Sequence, residues 1–259
     1  MSEHPVSRSM SLCWFPSFEC NLYCAHCSAR ALPNDTHGSN RSADHWIEAF
    51  NSCPFPIEQV AITGGEPTVY KPLRAILEAT DWKFAMDSNL VLPLVDILPE
   101  SAKGRLVALN AGLQWHPERD EAALFFEHLR DARAAYPNSQ VVVVYVATQR
   151  DTQAEWDAVR DLALAHGAEF RLSTYDGTYL MKDRDPAKPG IREVCGSGYD
   201  NATLLPDGTL YRCIGHAYYA HEPLGNVIDD GWGCLLDGPD PCDRLLCTIC
   251  DQADKSGVS

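Results

Sequence analysis

Three cysteines lie close together near the start of the chain, in the segment CNLYCAHC, where Cys20, Cys24 and Cys27 are spaced Cys-x3-Cys-x2-Cys. A disulfide would leave one thiol over, and a structural zinc site usually takes four ligands. His26 is adjacent to Cys27, so the two side chains are poorly placed to share one metal ion. An iron–sulfur cubane held by three thiolates leaves one iron open for a further ligand, which suits three cysteines in one tight loop.

A second group of six cysteines lies near the other end of the chain, at positions 195, 213, 234, 242, 247 and 250. The first residues contain no apolar signal sequence, so we expect a cytoplasmic, reducing compartment. Stable disulfides are disfavoured there, and clustered cysteines indicate metal ligands or catalysts. We therefore expect two separate cysteine sites, one near each end. A closed four-cysteine zinc site remains an alternative for the second group.

Composition excludes some classes of function. The chain has 259 residues, of which 45% are hydrophobic, enough for one large domain or for a medium and a small one. The formal net charge of −15 argues against a nucleic-acid surface, which needs clustered Lys and Arg. We see no run of 18 apolar residues, so we expect no membrane-spanning helix and no membrane partner.

Short β-type runs alternate with amphipathic helical runs from about residue 12 to residue 175. The predicted strands are Leu12–Phe15, Gln59–Thr63, Lys83–Asp87, Arg105–Asn110, Gln140–Thr148 and Ala168–Tyr175. The predicted helices are 42–50, 71–80, 91–98, 120–136 and 152–167, with an N-cap at Ser42 and a terminating glycine at Gly167. This alternation predicts an α/β fold with parallel strands, and six units are too few for the usual eight-stranded barrel. We expect a partial (β/α)6 TIM-like barrel whose functional face lies at the carboxyl ends of the strands.

The sequence changes character after Tyr175. A polar, Pro-containing connector leads to NATLLPDGTLYRC, residues 201–213, which predicts a β-hairpin with Gly208 in its turn. We therefore divide the chain into a core of residues 1–184 and a small cysteine-rich β-hairpin and helix domain of residues 185–259.

The cysteine triplet is followed by a second motif, ITGGEP, Ile62–Pro67, at the end of the next predicted strand. Together and in this order, the two motifs resemble the radical S-adenosylmethionine (SAM) superfamily. The resemblance implies a [4Fe–4S] cluster on the three cysteines, with SAM bound to the open iron. It also implies that the Gly-Gly-Glu-Pro backbone contacts the methionine amino group, near an acidic residue that suits an ammonium. The implied SAM-binding residues are Gly64, Gly65, Glu66, Pro67, Ser88, Asn89 and Asn110.

Further polar residues follow other predicted strands. The candidates for catalysis or substrate contact are His116, Arg171 and Tyr175, with Gln114, Tyr145 and Ser173 as additional strand-end residues. Arg171 would be costly inside the barrel without an anionic partner, so it either pairs with a carboxylate there or faces outward as an ordinary surface residue.

The second cysteine group fits Cys-x12-Gly-x4-Cys around Gly208, followed by Cys-x2-Cys, and resembles the twitch domain, a shortened SPASM domain. The resemblance implies one auxiliary [4Fe–4S] cluster. We assign its ligands as Cys195, Cys213, Cys247 and Cys250. Cys242 is the main rival, most plausibly in place of Cys195, and Cys234 is a lesser one.

The resemblance implies a function as well. Radical SAM enzymes reductively cleave SAM to a 5′-deoxyadenosyl radical that abstracts hydrogen from a substrate C–H. A fully ligated auxiliary cluster suits electron transfer, so we expect net oxidation of a small sugar, cyclitol or similar molecule, in a layout similar to 2-deoxy-scyllo-inosamine dehydrogenase. The expected electron donor is a flavodoxin or ferredoxin. Modification of a ribosomally made peptide is the alternative, by thioether formation, carbon–carbon crosslinking or epimerisation. A third alternative is a non-catalytic metal-binding protein.

Overall fold

The computed structural model describes residues 8–24, 26, 27, 29, 32, 40–115, 119–148, 151–174, 192–195, 197–218, 221–238 and 240–242. The strands are β1 Met10–Trp14, β2 Ile57–Ile62, β3 Lys83–Ser88, β4 Leu106–Leu113, β5 Gln140–Ala147, β6 Glu169–Thr174, β7 Arg192–Cys195, β8 Asn201–Leu204, β9 Thr209–Tyr211, β10 Gly225–Asn226 and β11 Asp240–Cys242. The helices are α1 Ala43–Asn51, α2 Leu73–Ala79, α3 Leu94–Ile97, α4 Asp120–Ala135, α5 Gln153–Ala165 and α6 Ile214–Tyr218.

One sheet organises the chain. Nine strands lie in the order β10-β9-β8-β1-β2-β3-β4-β5-β6. Every pair from β8 to β6 is parallel, and β9 and β10 complete the sheet with antiparallel pairing. Strands β10 and β6 are its two edges, so the sheet is open. The predicted α/β fold with a partial barrel is confirmed.

The local signals in the sequence act at the helix ends as predicted. The Ser42 side chain accepts a hydrogen bond from the His45 amide and caps α1. Gly167 adopts a positive φ of +71° directly after α5. The helix predicted over 91–98 is shorter, because α3 begins only after Pro93, whose ψ of 124° is extended rather than helical.

The main core lies between the sheet and the helices. Trp14 of β1 packs edge-on against Trp46 of α1, with ring centroids 5.2 Å apart. Phe50 and Trp82 join the same aromatic cluster. Large rings bury much apolar area with little loss of side-chain entropy, so this cluster fixes α1 against β1 and β2.

The hairpin after residue 200 is part of the main sheet. Strand β8 pairs with β1 in parallel, with Ser11 beside Asn201 and Trp14 beside Leu204. The Trp232 indole donates to the Ala49 carbonyl oxygen of α1 at 2.7 Å. The proposed boundary at residues 184 and 185 lies outside the described residues, so the division into two domains stays a prediction.

A second, smaller apolar cluster lies apart from the main core. It joins Phe15 and Leu32, which flank the cysteine triplet, to residues of the hairpin and α6. Its hairpin and helix members are Leu205, Tyr211 and Ala217. The carboxyl-terminal elements therefore pack directly against the segment that carries the first three cysteines. Among the described residues, no helix is long and apolar enough to cross a membrane.

Candidate functional site

The cysteine loop, residues 16–27, leaves the carboxyl end of β1. Cys20 is exposed, and Cys24 and Cys27 are half-buried. The Cys27 amide donates to the Cys24 carbonyl oxygen at 3.3 Å, which closes a turn between the last two cysteines. No group of three His, Cys, Asp or Glu side chains within the described parts of the chain is gathered closely enough to hold a metal ion. The structure thus places the three thiols on one loop without drawing them to a common point.

The two glycines of the second motif pack against the backbone of the cysteine loop. The Gly65 amide donates to the Ser17 carbonyl oxygen at 2.9 Å, and the Glu66 amide donates to that of Glu19 at 2.8 Å. A Cβ on Gly65 would lie 2.0 Å from the Glu19 carbonyl oxygen, and Gly64 has a φ of +118°. Glycine is required here because two backbones meet, immediately before Cys20.

The Glu66 side chain is buried and points at β3. Its Oε1 accepts from the Thr68 amide at 3.1 Å, the Thr68 hydroxyl at 2.7 Å and the Ser88 hydroxyl at 2.9 Å. Its Oε2 accepts from the Asn89 amide at 2.7 Å. Burial raises the pKa of Glu66, and the bonds from Asn89, Thr68 and Ser88 act to lower it. The family resemblance implied an acidic residue near the ammonium group of SAM. In the structure, both carboxylate oxygens of Glu66 accept hydrogen bonds from the end of β3 and the turn that follows it.

That turn reaches back to the cysteine loop. The Asn89 side-chain nitrogen donates to Asn21 Oδ1 at 2.7 Å and lies 3.9 Å from Cys20 Sγ, within range of an N–H···S bond. Ser88 and Asn89 were predicted as SAM-binding residues, and both are buried. Asn21 was missed, because a polar residue beside a cysteine carries no signal of its own.

Asn110 pairs with an aspartate that the sequence did not single out. The side-chain nitrogen Nδ2 of Asn110 donates to Asp87 Oδ1 at 2.8 Å across neighbouring strands. Cys13 lies on the same face of the sheet, where burial and the Asp87 charge raise the pKa of its thiol to about 12. The signal for Asp87 was its place at the end of a strand otherwise rich in apolar residues.

A cavity of about 270 Å³ opens beside the cysteine loop, at the carboxyl ends of β4 and β5. Its lining includes Cys24, His26, Gln114, Trp115, Tyr145 and Asp151. His26 Nε2 donates to Gln114 Oε1 at 2.7 Å, and the Tyr145 hydroxyl donates to Asp151 Oδ1 at 3.3 Å. Burial, followed by the Asp151 charge, raises the pKa of Tyr145 to about 12. Gln114 and Tyr145, two of the predicted strand-end residues, thus line one cavity.

The three catalytic candidates differ in outcome. Arg171 pairs in register with Val144 and alternates with Phe170, which packs on the helix side, so Arg171 lies on the face opposite to the helices. It is nonetheless exposed, because β6 is an edge of an open sheet, and the expected cost of burying its charge does not arise. His116 and Tyr175 lie outside the described residues.

The second cysteine group is described in part. Cys213 is half-buried and directly precedes α6. The backbone of Cys195 in β7 pairs with β11, the strand that ends at Cys242. Cys247 and Cys250 lie outside the described residues. The assignment of four auxiliary ligands therefore stays a prediction, and β7 and β11 bring the backbones of its two rivals, Cys195 and Cys242, onto paired strands.

The donor set of the cysteine loop fits an iron–sulfur cluster. It offers three soft thiol ligands at a strand end, and its backbone is fixed on one side by Gly64 and Gly65 and on another by Asn89. The residues that would hold the cluster are Cys20, Cys24 and Cys27, with SAM expected at the second motif and the turn after β3.

Comparison with known proteins places the fold. No curated protein matches the sequence. The structure of Streptococcus suis SuiB bound to precursor peptide SuiA matches with a TM-score of 0.60 and 16% identity, covering 87% of this chain and 64% of SuiB. SuiB bound to S-adenosylmethionine matches with a TM-score of 0.58 and 15% identity, over 87% and 62%. Native anSMEcpe with bound AdoMet and Cp18Cys peptide gives 0.49 and 13%, over 88% and 80%.

The chain thus spans less than two thirds of the length of SuiB, and at these identities the likeness is one of fold. The family model described as "Radical SAM superfamily" matches residues 14–163, which is more than half of the chain and includes both motifs. The chain belongs to the radical SAM superfamily.

Proposed function

We propose that the protein is an enzyme that cleaves SAM reductively and oxidises a small sugar, cyclitol or similar molecule at a C–H bond. The observation that carries this proposal is the docking of Gly64–Glu66 on the backbone that leads into Cys20. When bound, the cluster and SAM supply a 5′-deoxyadenosyl radical that abstracts hydrogen.

The chain's own residues would position that chemistry. Cys20, Cys24 and Cys27 would hold the first cluster, with its fourth iron left for SAM. The backbone of the Gly64–Pro67 element and the Ser88–Asn89 turn would bind SAM at neighbouring strand ends, as would Asn110. Glu66 would act by holding that turn, because both its oxygens are already engaged by protein donors.

The open face of the sheet suits a polar substrate. Asp87 and Asn110 form a hydrogen-bonded pair on the strands between the first motif and the cavity. A carboxylate accepts hydrogen bonds from hydroxyl groups, and a side-chain amide both accepts from them and donates to them. Hydroxyl groups are the groups that a sugar or cyclitol offers. His116, Arg171 and Tyr175 remain candidates for substrate contact.

The oxidation would need an electron acceptor. We propose that Cys195, Cys213, Cys247 and Cys250 hold an auxiliary [4Fe–4S] cluster, whose closed set of thiolates suits it to electron transfer. The proposed electron donor to the first cluster is a flavodoxin or ferredoxin.

Peptide modification is the second candidate. SuiB was solved with a precursor peptide and shares this fold over 87% of the present chain. Among the described residues, β6 has no strand paired on its outer side, and extended peptides commonly add to such sheet edges.

Metal content tests the basis of both candidates. We would reconstitute the protein anaerobically and measure iron, sulfide and zinc in the wild type and in a triple Cys20/Cys24/Cys27→Ala variant. We expect about eight irons per chain to fall to about four. Reduction with dithionite in the presence of SAM should yield 5′-deoxyadenosine in the wild type alone. Zinc without iron, or full iron loading without any 5′-deoxyadenosine, would refute the enzymatic proposal.

Substrate challenge separates the two candidates. Sugars and cyclitols on one side, and short peptides on the other, would be added to reduced enzyme with SAM. A polyol that accelerates 5′-deoxyadenosine formation at least about tenfold and loses two hydrogens supports the oxidation. Acceleration by peptides instead would replace it with the peptide candidate. Cys213→Ala should retain SAM cleavage but lose the oxidised product.

A further inference from the structure

The cysteine loop is approached by a side chain that is itself held in place. Asn89 is 7% exposed and sits in the turn after β3. Its Nδ2 carries two hydrogens, and two acceptors lie on the loop in range, Asn21 Oδ1 at 2.7 Å and Cys20 Sγ at 3.9 Å. The side-chain amide of Asn89 therefore faces two acceptors, the Asn21 side-chain oxygen and the sulfur of Cys20, the first cysteine of the triplet.

Three further contacts fix the direction of that amide. The Asn89 Oδ1 atom accepts from the Val91 amide at 3.0 Å, which leaves Nδ2 facing the loop. The Asn89 amide nitrogen donates to Glu66 Oε2, and Ser88 Oγ donates to Oε1 of the same carboxylate. The buried Glu66 carboxylate therefore fixes the position of the Asn89 backbone. The hydrogen bond from the Val91 amide fixes the direction of the Asn89 side chain.

The far side of the turn is anchored as well. Leu90 is fully buried and has a φ of +51°, a left-handed conformation that is rare for leucine. Its carbonyl oxygen accepts from Nδ1 of His128 on α4 at 2.8 Å, so this nitrogen carries the proton. Such a conformation persists only where its surroundings determine it, and here Glu66 and His128 do so from opposite sides.

Cys20 Sγ has a second donor within the loop. The Leu22 amide lies 3.4 Å from the same sulfur. Cys20 is thus approached by two N–H groups, one from its own loop and one from β3. Hydrogen bonds to the sulfur ligands of an iron–sulfur cluster stabilise the reduced form, because that form carries one more negative charge, and so they raise the reduction potential.

We propose that Asn89 is a positioning residue for electron transfer: its side-chain amide donates to Cys20 Sγ and raises the reduction potential of the cluster on the cysteine loop, and Glu66 holds it in register. This inference rests on the proposed function insofar as that function places the first cluster on Cys20, Cys24 and Cys27. It assigns to Asn89 a role toward sulfur that is separate from any contact with SAM.

The test is a redox titration of the reconstituted full chain, followed by electron paramagnetic resonance. The signal of the first cluster is the one that the triple Cys20/Cys24/Cys27→Ala variant lacks. Asn89→Ala should make one-electron reduction of this cluster less favourable by up to about tenfold, which corresponds to about 59 mV. Glu66→Gln should shift the potential in the same direction and by less. Asn40→Ala is the matched control, because the Asn40 side-chain amide donates to the Glu19 carboxylate, next to Cys20 in sequence, rather than to a cysteine sulfur.

Two further variants separate the donor role from anchoring. Asn21→Ala removes the hydrogen bond between Asn21 and Asn89 and leaves the Asn89 side-chain amide beside Cys20. The reduction potential of the first cluster in this variant should therefore stay near the wild-type value. An equal fall in Asn21→Ala and Asn89→Ala, or no fall in Asn89→Ala, overturns the inference. If Asn89→Ala does not load iron, Asn89→Asp decides, because it keeps the acceptor for Val91 and removes the N–H donors. Failure of both variants to load iron would assign Asn89 to loop folding and also overturn it.

These results are distinct from a failure of the proposed function. A wild type that holds the first cluster but never forms 5′-deoxyadenosine refutes the function and leaves the potential shift measurable. A wild type that cleaves SAM and shows no shift on Asn89→Ala refutes the inference alone.

Discussion

His26 and Gln114 join the cysteine loop to the end of β4, with His26 Nε2 2.7 Å from Gln114 Oε1. The two residues are 88 positions apart in sequence and line the same cavity as Cys24. The loop that carries the cysteines is thus held from three strand ends: by Gly64–Glu66 after β2, by Asn89 after β3 and by Gln114 after β4.

The contact between His26 and Gln114 predicts energetic coupling. In a double-mutant cycle of His26→Ala and Gln114→Ala, the free energies of unfolding should couple by about 0.5–1.5 kcal/mol, because each single variant removes the hydrogen bond between these two side chains. Urea unfolding of the four proteins measures this. The exposed pair Gln153 and Asp157, at 3.2 Å, is the control and should couple less. Additive effects at His26 and Gln114 would contradict the prediction.

Gly65→Ala should displace the cysteine loop. The new methyl group would meet the Glu19 carbonyl oxygen at 2.0 Å, and neither backbone is free to move far. We expect destabilisation of at least about 2 kcal/mol and loss of iron from the first site. Gly104→Ala is the matched control, since a Cβ there meets nothing within 4 Å. Thermal unfolding and iron content report the two effects, and a Gly65→Ala protein with wild-type values of both would show that the close approach does not occur.

Cys13 should resist alkylation while Cys20 reacts. Burial raises the pKa of Cys13 to about 12, so its thiol stays protonated at pH 8, and the protonated thiol is a poor nucleophile. Cys20 is exposed on the loop. Iodoacetamide labelling of iron-free protein at pH 8, read by mass spectrometry, should modify Cys20 at least about tenfold faster. In denaturant the two rates should converge, and similar rates in the folded protein would contradict the raised pKa of the half-buried Cys13 thiol.

Trp232→Phe tests the packing of the carboxyl-terminal segment on α1. The substitution keeps an aromatic ring and removes the indole donor to the Ala49 carbonyl oxygen, which still accepts from the Ser52 hydroxyl, so it should cost about 0.5–1.5 kcal/mol of unfolding free energy. Trp156→Phe is the matched control, because the Trp156 Nε1 atom has no hydrogen-bond partner among the residues that the structure describes. Chemical denaturation compares them. Equal losses in both variants would mean that ring volume, not the hydrogen bond, determines the effect.

The six parallel strands and their helices were predictable because their signals are local. The β-branched run of β5, the N-cap at Ser42 and the terminating Gly167 each determine structure within a few residues. The pairing of β8 with β1 was not predictable in this way. It joins residues about 190 positions apart, and it depends on which sheet edge is available once the other strands have assembled.

The contacts of the candidate site residues were less predictable than their places at the ends of the strands. Both motifs identified the right strand ends, yet the direction of Glu66 followed from its burial, since a buried carboxylate must find donors, and it found them at Thr68, Ser88 and Asn89. The left-handed Leu90 has no sequence signal, because leucine rarely adopts that conformation. Burial of Arg171 was expected to be costly inside a barrel. Arg171 instead lies on β6, an edge strand of the open sheet, where it is exposed.

The placement of β1 between β8 and β2 has a consequence for how the chain folds during its synthesis on the ribosome. Strand β1 is synthesised before the other described strands, and one of its two hydrogen-bonded neighbours follows about 190 residues later. During elongation its backbone edge, and the cysteine loop that follows, stay uncovered until the hairpin arrives. At synthesis rates of about 5–20 residues per second this exposure lasts on the order of ten seconds or more. A cluster on the cysteine loop would thus have a period for insertion before β8 pairs with β1 and α6 packs beside Phe15 and Leu32.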